Sequence, residues 1–221
     1  MSTKVSVMMP VYNCEAYVEK AIQSILNQTY QDIELVIVDD GSTDGTGAIL
    51  KKADNHPRIK VIYNDHSGVA RARNTCLEHC TGDIIARQDA DDWSARTRIA
   101  AQVKRLGEGY DIVSCKMFWC VGDRQTLQAG NGMLKEHYKR GESAGFPVNA
   151  SIVAIRDVYD KVGDFDESLV AAEDTDWNFR ALGFRWGFVS IALYYYRKHS
   201  AALTRRIDIC ALHKEVLGRY T

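Results

Sequence analysis

Apolar runs alternate with amphipathic stretches through the first hundred positions. Lys4–Pro10 (KVSVMMP) is a short β-rich run stopped by a proline. After it, Tyr17, Ala21, Ile22, Ile25 and Leu26 recur at helical spacing, with Glu15 expected in the first turn, where the helix dipole favours an anion. Ile33–Val38 is apolar apart from Glu34, which suits a strand covered on both faces, and it runs into Asp39 and Asp40. Gly41–Thr46 (GSTDGT) holds turn formers and N-cap residues and hands over to a helix at about Thr43–Asp54. Arg58–Tyr63 reads as a third strand, Val69–Cys80 as a helix and Gly82–Arg87 as a fourth strand. Successive β-α units of this kind predict an α/β fold: a single domain with a mostly parallel, twisted sheet and helices on both faces, ligands binding outside the carboxyl ends of the strands.

The rhythm changes after Leu106. Tyr110–Phe118 reads as a strand, Gly122–Gly145 as a long loop or hairpin over the site, and Pro147–Ile155 as another strand followed by a helical turn at Arg156–Val162. Glu173–Leu182 (EDTDWNFRAL) is a helix opened by acids, its apolar face (Trp177, Phe179, Leu182) expected against the sheet, and Phe184–Arg197 is strand-like. This second half predicts a smaller sheet and loop region beside the first.

Composition narrows the classes. The 221 residues are 46% hydrophobic, enough for a substantial core. Lys and Arg (28) nearly balance Asp and Glu (29), so nothing in the overall charge points to nucleic acid. No apolar run approaches the ~20 residues of a membrane span, and the N-terminus lacks a signal-peptide core, so the expectation is a cytoplasmic chain with at most peripheral membrane contact. Six cysteines show neither CxxC pairs nor zinc spacing and are expected to be reduced.

The candidate chemistry centres on Gly82–Trp93 (GDIIARQDADDW), where Asp89, Asp91 and Asp92 crowd at a strand end. Carboxylates packed so closely repel unless a cation neutralises them. A hard divalent ion, magnesium or manganese, does so while taking its other ligands from water and substrate phosphates, which points to a diphosphate-bearing substrate. The same residues also read as an acidic turn in which Ser94 and the aspartates cap a helix at Ala95–Leu106. Both readings stay open on these residues alone.

The chain resembles the inverting, nucleotide-sugar-dependent glycosyltransferases of family 2. The matching segments are VSVMMPVYN (5–13), ILNQTYQDIELVIVDDGSTDGT (25–46), ARN (72–74), GDIIARQDADDW (82–93), VGDFDESL (162–169), EDTDWNFRALG (173–183) and YRKHSAALT (196–204). The resemblance implies a GT-A type fold, with residues 1–106 binding the nucleotide sugar and residues 107–221 supplying the acceptor site and the catalytic base. It implies that Pro10, Val11 and Tyr12 line the nucleoside pocket, that Asp40 accepts a hydrogen bond from uracil, and that Arg73 approaches the diphosphate. Asp89, with Ala90 in the same turn, would face the ribose or the metal; Asp91 would bind a divalent metal, with Asp92 sharing the task. Asp174 would be the general base, tuned by Glu173, and His199 would give a further metal or diphosphate contact. The implied partners are a UDP-sugar donor and a saccharide or other hydroxyl acceptor in polysaccharide or glycoconjugate assembly. One departure stands out: His66-Ser67 occupies the place where relatives commonly carry an asparagine-glycine pair.

Three other readings compete. A DxDGT phosphatase needs alternating aspartates, whereas Asp39 and Asp40 are adjacent. A nucleotidyltransferase would share the sheet and metal but usually opens on a glycine-rich basic loop, which Pro10–Asn13 is not. A non-catalytic sugar-nucleotide-binding protein would be expected to have lost carboxylates, and all of them are here.

Overall fold

The computed structural model describes residues 3–128, 148–200, 202 and 208–220. In chain order its elements are β1 (Val5–Val11), α1 (Val18–Leu26), β2 (Ile33–Asp40), α2 (Thr46–Ala53), β3 (Ile59–Asn64), α3 (Val69–His79), β4 (Ile84–Arg87), β5 (Trp93–Ser94) and α4 (Arg98–Leu106). Then follow β6 (Ile112–Val121), β7 (Arg124–Gln128), β8 (Val153–Ile155), α5 (Arg156–Val162), α6 (Glu173–Arg180), β9 (Trp186–Arg197) and α7 (Ile209–Gly218).

One sheet runs β3-β2-β1-β4-β8-β6-β9-β5, with β7 paired to β6. The β3-β2-β1-β4 half is parallel throughout, as crossover helices require. Beyond β4 the sheet is mixed: β8 is antiparallel to β4 and β6, β6 is parallel to β9, and β5 is antiparallel to β9. The expected smaller sheet is therefore a continuation of the first.

The strands read as continuous apolar runs because both faces are covered. Val5, Val7, Met9 and Val11 of β1, with Leu35 and Ile37 of β2, pack against Ala21, Ile22 and Ile25 of α1 and Leu50 of α2. Met8, Val36 and Val38 point the other way, into a second core holding Ala70 and Cys76 of α3 and Trp177 of α6. Glu34, the one polar residue of its run, is held by Lys4 Nζ at 2.7 Å and by the Thr81 N–H at 2.6 Å.

Several expectations change. α1 starts at Val18, and the Glu15 carboxylate instead accepts the Gly45 N–H at 2.6 Å, at the start of α2. The helix expected from Ala95 starts at Arg98, and Ser94 lies in β5, so Ser94 and the aspartates do not cap it. The strand expected over 147–155 is three residues long, preceded by a 3-10 turn at Asn149–Ser151, and Pro147 lies outside the described residues. The 122–145 stretch opens as a β6-β7 hairpin, and its remainder from 129 on lies outside the described residues. Phe179 packs with Leu182 against Val216 of α7, a helix that periodicity did not reveal, and Trp177 alone carries α6 into the sheet's core.

Candidate active site

β4 ends at Arg87, and the turn after it delivers the acids to the carboxyl edge of the parallel strands. β9 fixes this turn from the side. The Asp89 N–H donates to Tyr194 Oη at 3.2 Å, Asp92 Oδ1 accepts the Arg197 N–H at 2.7 Å, and Arg197 Nε donates to the Asp91 carbonyl at 2.8 Å. One oxygen from each of Asp89, Asp91 and Asp92 converges with the others within 4.8 Å. Burial, set against the Arg73 charge and joined by that of Asp91, pushes Asp89 up to about 6. Burial and the charges of Asp91 and Asp89 push Asp92 well above the carboxylate range.

Asp92 is 1% exposed, and its Oδ2 has no hydrogen-bond partner among the described residues. An orphaned carboxylate oxygen is costly in a protein interior, and here it lies among two further carboxylates. That donor set fits a hard divalent cation, which takes oxygen ligands and relieves all three repulsions together. His199 closes the cluster, its Nε2 lying 2.9 Å from Asp91 Oδ2 and its ring 4.6 Å from that of Tyr17.

A second pair of carboxylates arrives from α6. Ala172, in the left-handed region at φ 64°, turns the chain into the helix, so that Glu173 and Asp174 form its first turn. Trp177 is fully buried against Tyr159 and Phe165, with the Arg87 guanidinium 4.4 Å above its ring, and this anchors the turn. Arg73 of α3 joins the two groups of acids. Its buried guanidinium bonds Glu173 and lies 3.5 Å from Asp89 and 4.0 Å from Asp174. Arg73, expected to approach a diphosphate, is paired here with carboxylates of both groups. Burial pushes Glu173 up to about 6 even though Arg73 pulls it down. Asp174 differs: its side chain is 21% exposed and, among the described residues, meets Arg73 at 4.0 Å and receives the Thr175 hydroxyl at 3.3 Å.

The expected nucleoside corner lies where the ends of β1 and β2 meet the loop before α3. Val11 and Ala90 are 2% exposed and belong to the core. Pro10 is half-buried, and Tyr12 is 39% exposed with its ring stacked on His66 at 4.1 Å. Asp40 is 3% exposed. Its Oδ1 accepts the Ser67 N–H at 2.9 Å and the Ser67 hydroxyl at 3.1 Å, while Oδ2 accepts the Gly68 N–H at 3.0 Å and lies 2.8 Å from His66 Nδ1. Its oxygens hold the 66–68 loop at the start of α3.

Sequence reasoning missed Tyr194 and Arg197, which fix the acidic turn, and His66 as a side chain with a role of its own. The run Tyr194–His199 held the first signal, because strand alternation sends Tyr194 inward and the next strand end towards Asp91 and Asp92.

A parallel βα half whose strands end in acids, continued by a mixed sheet, with a second acidic pair delivered by helix α6, defines a GT-A type nucleotide-diphospho-sugar transferase architecture. The chain belongs to glycosyl transferase family 2, whose model matches residues 6–162. It is 50% identical over 119 residues to the putative glycosyltransferase EpsE of Bacillus subtilis, a match covering 52% of this chain and 43% of that one. It is 32% identical over 222 residues to the putative glycosyltransferase EpsH of the same organism, covering 91% of this chain and 63% of EpsH. The chain thus spans less than two thirds of the length of these relatives. Among solved structures, S. aureus TarS 1-349 in complex with UDP-GlcNAc matches with a TM-score of 0.76 at 24% identity, covering 96% of this chain and 65% of that one. The mannosyltransferase PcManGT from Pyrobaculum calidifontis, in complex with GDP-Man and Mn2+, matches with a TM-score of 0.75 at 23% identity, covering 99% and 65%. Among the described residues no helix is long and apolar enough to cross a membrane.

Proposed function

We propose that this chain is an inverting glycosyltransferase that moves a sugar from a nucleotide-diphosphate donor, a UDP-sugar, to a hydroxyl of a saccharide or other glycoconjugate acceptor. The observation that carries the reading is the meeting, at one sheet edge, of the Asp89-Asp91-Asp92 cluster with the Glu173-Asp174 pair across Arg73. Residues up to 106 hold the donor, and those from 107 on supply the acceptor side and the base. Family membership and the UDP-GlcNAc and GDP-Man bound in the structural neighbours support a sugar-nucleotide donor.

Asp89, Asp91 and Asp92, with His199 beside them, would hold a divalent ion, magnesium or manganese, supplying positive charge to the leaving diphosphate. Asp174 accepts the proton of the acceptor hydroxyl. The freed oxygen attacks the anomeric carbon from the face opposite the diphosphate, the carbon–oxygen bond to the diphosphate breaks, and the nucleotide leaves. Glu173 is buried and bonded to Arg73, whereas Asp174 is the more exposed of the pair, which supports it as the single base of a direct displacement with inversion. The free cysteines Cys14, Cys76, Cys80, Cys115 and Cys120 support a reducing, cytoplasmic setting. The test is nucleotide release from a panel of UDP-, GDP- and TDP-sugars with saccharide acceptors: release from a UDP-sugar supports the reading, and silence across the panel contradicts it.

A further inference from the structure

The turn that carries Glu173 and Asp174 is fastened from behind, on both sides of the pair. Ala172, just before it, sits in the left-handed region at φ 64°, a conformation that a residue with a Cβ keeps only where its surroundings impose it. Those surroundings include Val216 of α7, which is fully buried and packs with Ala172, Leu169 and Phe179, with Leu212 of the same helix at the margin of the cluster. Asp176, just after the pair, donates its N–H to the Ala172 carbonyl at 3.0 Å and so closes the turn. The Asp176 carboxylate is buried, and it accepts the Tyr220 hydroxyl at 2.7 Å through Oδ1 and Arg180 Nε at 2.9 Å through Oδ2. Arg180 in turn donates to the carbonyls of Val162 and Asp164, at 2.6 and 2.7 Å.

Tyr220, two residues beyond the end of α7, is itself fixed. Its ring lies 5.0 Å from that of Phe179 with 14° between the planes, and Arg219 beside it pairs with Asp166 at 2.9 Å. Burial and the bond to Asp176 push the Tyr220 hydroxyl up to about 12, so it keeps its hydrogen and donates throughout the neutral range. The Asp174 carboxylate has weaker ties, to Arg73 at 4.0 Å and to the Thr175 hydroxyl at 3.3 Å, so the direction in which it projects follows from the backbone of its turn.

We propose that α7 and the residues that end it position the base: Val216, through Ala172, and Tyr220, through Asp176, are positioning residues that aim Asp174 at the acceptor hydroxyl. The inference rests on the reading above in which Asp174 takes the proton. It extends the machinery of transfer to a helix packed on the outer side of α6. A misplacement of about 1 Å at a reacting group can cost on the order of a hundredfold in rate, so the loss of either tie should be felt at the chemical step.

The test is single-turnover transfer and calorimetric donor affinity, with whichever UDP-, GDP- or TDP-sugar and saccharide acceptor give nucleotide release in the wild type, for Tyr220→Phe and Val216→Ala, each alone and combined with Asp174→Asn. Phenylalanine keeps the stack on Phe179 and removes only the bond to Asp176, while Val216→Ala opens space beside Ala172. Each substitution alone is expected to slow transfer about tenfold to a hundredfold while donor affinity stays within about threefold, which also shows that the variant is folded. Added to Asp174→Asn, each is expected to change the residual rate by less than about twofold, because the group it aims has lost its function; a merely structural loss would cost the same factor in both backgrounds. Near-normal transfer by either variant, equal losses in the two backgrounds, or a fall in donor affinity that matches the fall in rate overturns the inference, and leaves the reading of Asp174 standing if Asp174→Asn alone is slow. Near-normal transfer by Asp174→Asn, or a wild type silent with every sugar nucleotide, overturns that reading and this inference with it.

Discussion

Replacing Glu173 with glutamine isolates one electrostatic cost in the proposed site. The carboxylate is 3% exposed, and burial pushes it from 4.5 up to about 6 although Arg73 is bonded to it. The folded state therefore binds this proton more tightly than the unfolded chain does. Its contribution to stability is complete below the unfolded value of 4.5 and is lost as the pH rises through about 6. The displacement corresponds to about 2 kcal/mol. Glutamine fills the same volume and can still accept from Arg73, but it has no proton to lose. Urea unfolding of both proteins in excess chelator, stepped from about pH 4 to pH 7.5, reads the difference directly. The unfolding free energy of Glu173→Gln minus that of the wild type should rise by about 2 kcal/mol across that window, most of it between 4.5 and 6. A flat difference, or one that falls, would mean that Arg73 fully compensates the buried charge and that the reasoning about this pair is wrong.

Asp91→Asn, or excess chelator, should remove most donor turnover, and magnesium or manganese added to the unliganded protein should raise its Tm at neutral pH by relieving the repulsion among Asp89, Asp91 and Asp92; full activity in chelator with an unmoved Tm contradicts the cation site. Asp40→Ala strips the acceptor from the backbone N–H groups of Ser67 and Gly68 and from two side chains, and should cost about 3 kcal/mol in urea unfolding. A cost below about 0.5 kcal/mol would show that the carboxylate is not the support of that loop.

The inner strands of the parallel half were readable because they are buried on both faces: Ile33–Val38 is apolar apart from Glu34 and β4 is buried throughout, whereas β3 at the sheet edge is only partly buried. The acids at the strand ends could be placed at one edge on the same logic. What could not be read depends on contacts between distant segments. β5 is two residues long and exists because Trp93 and Ser94 pair with Tyr195 and Tyr194, a partnership invisible to local periodicity. The part played by Asp40 depends on a loop 26 to 28 residues further on, whose donors happen to fill both oxygens. Arg73 could be matched to a motif, but that Glu173 would lie one hundred positions away and claim its guanidinium is a fact of packing. α7 escaped because, among the described side chains, its buried residue Val216 packs in the small cluster with Leu169, Ala172 and Phe179.

The claim that ties these parts together is that Asp174 takes the acceptor's proton beside a donor held by the other carboxylates. Single-turnover transfer by Asp174→Asn, measured alongside donor binding, tests it most directly. The variant keeps the size of the side chain and can still accept from Thr175, but it cannot take up a proton. Transfer should fall by about 10²–10⁴-fold while donor affinity changes by less than about threefold, and Glu173→Gln should do less damage to the rate. Near-normal transfer by Asp174→Asn, or a larger loss in Glu173→Gln, would contradict the assignment.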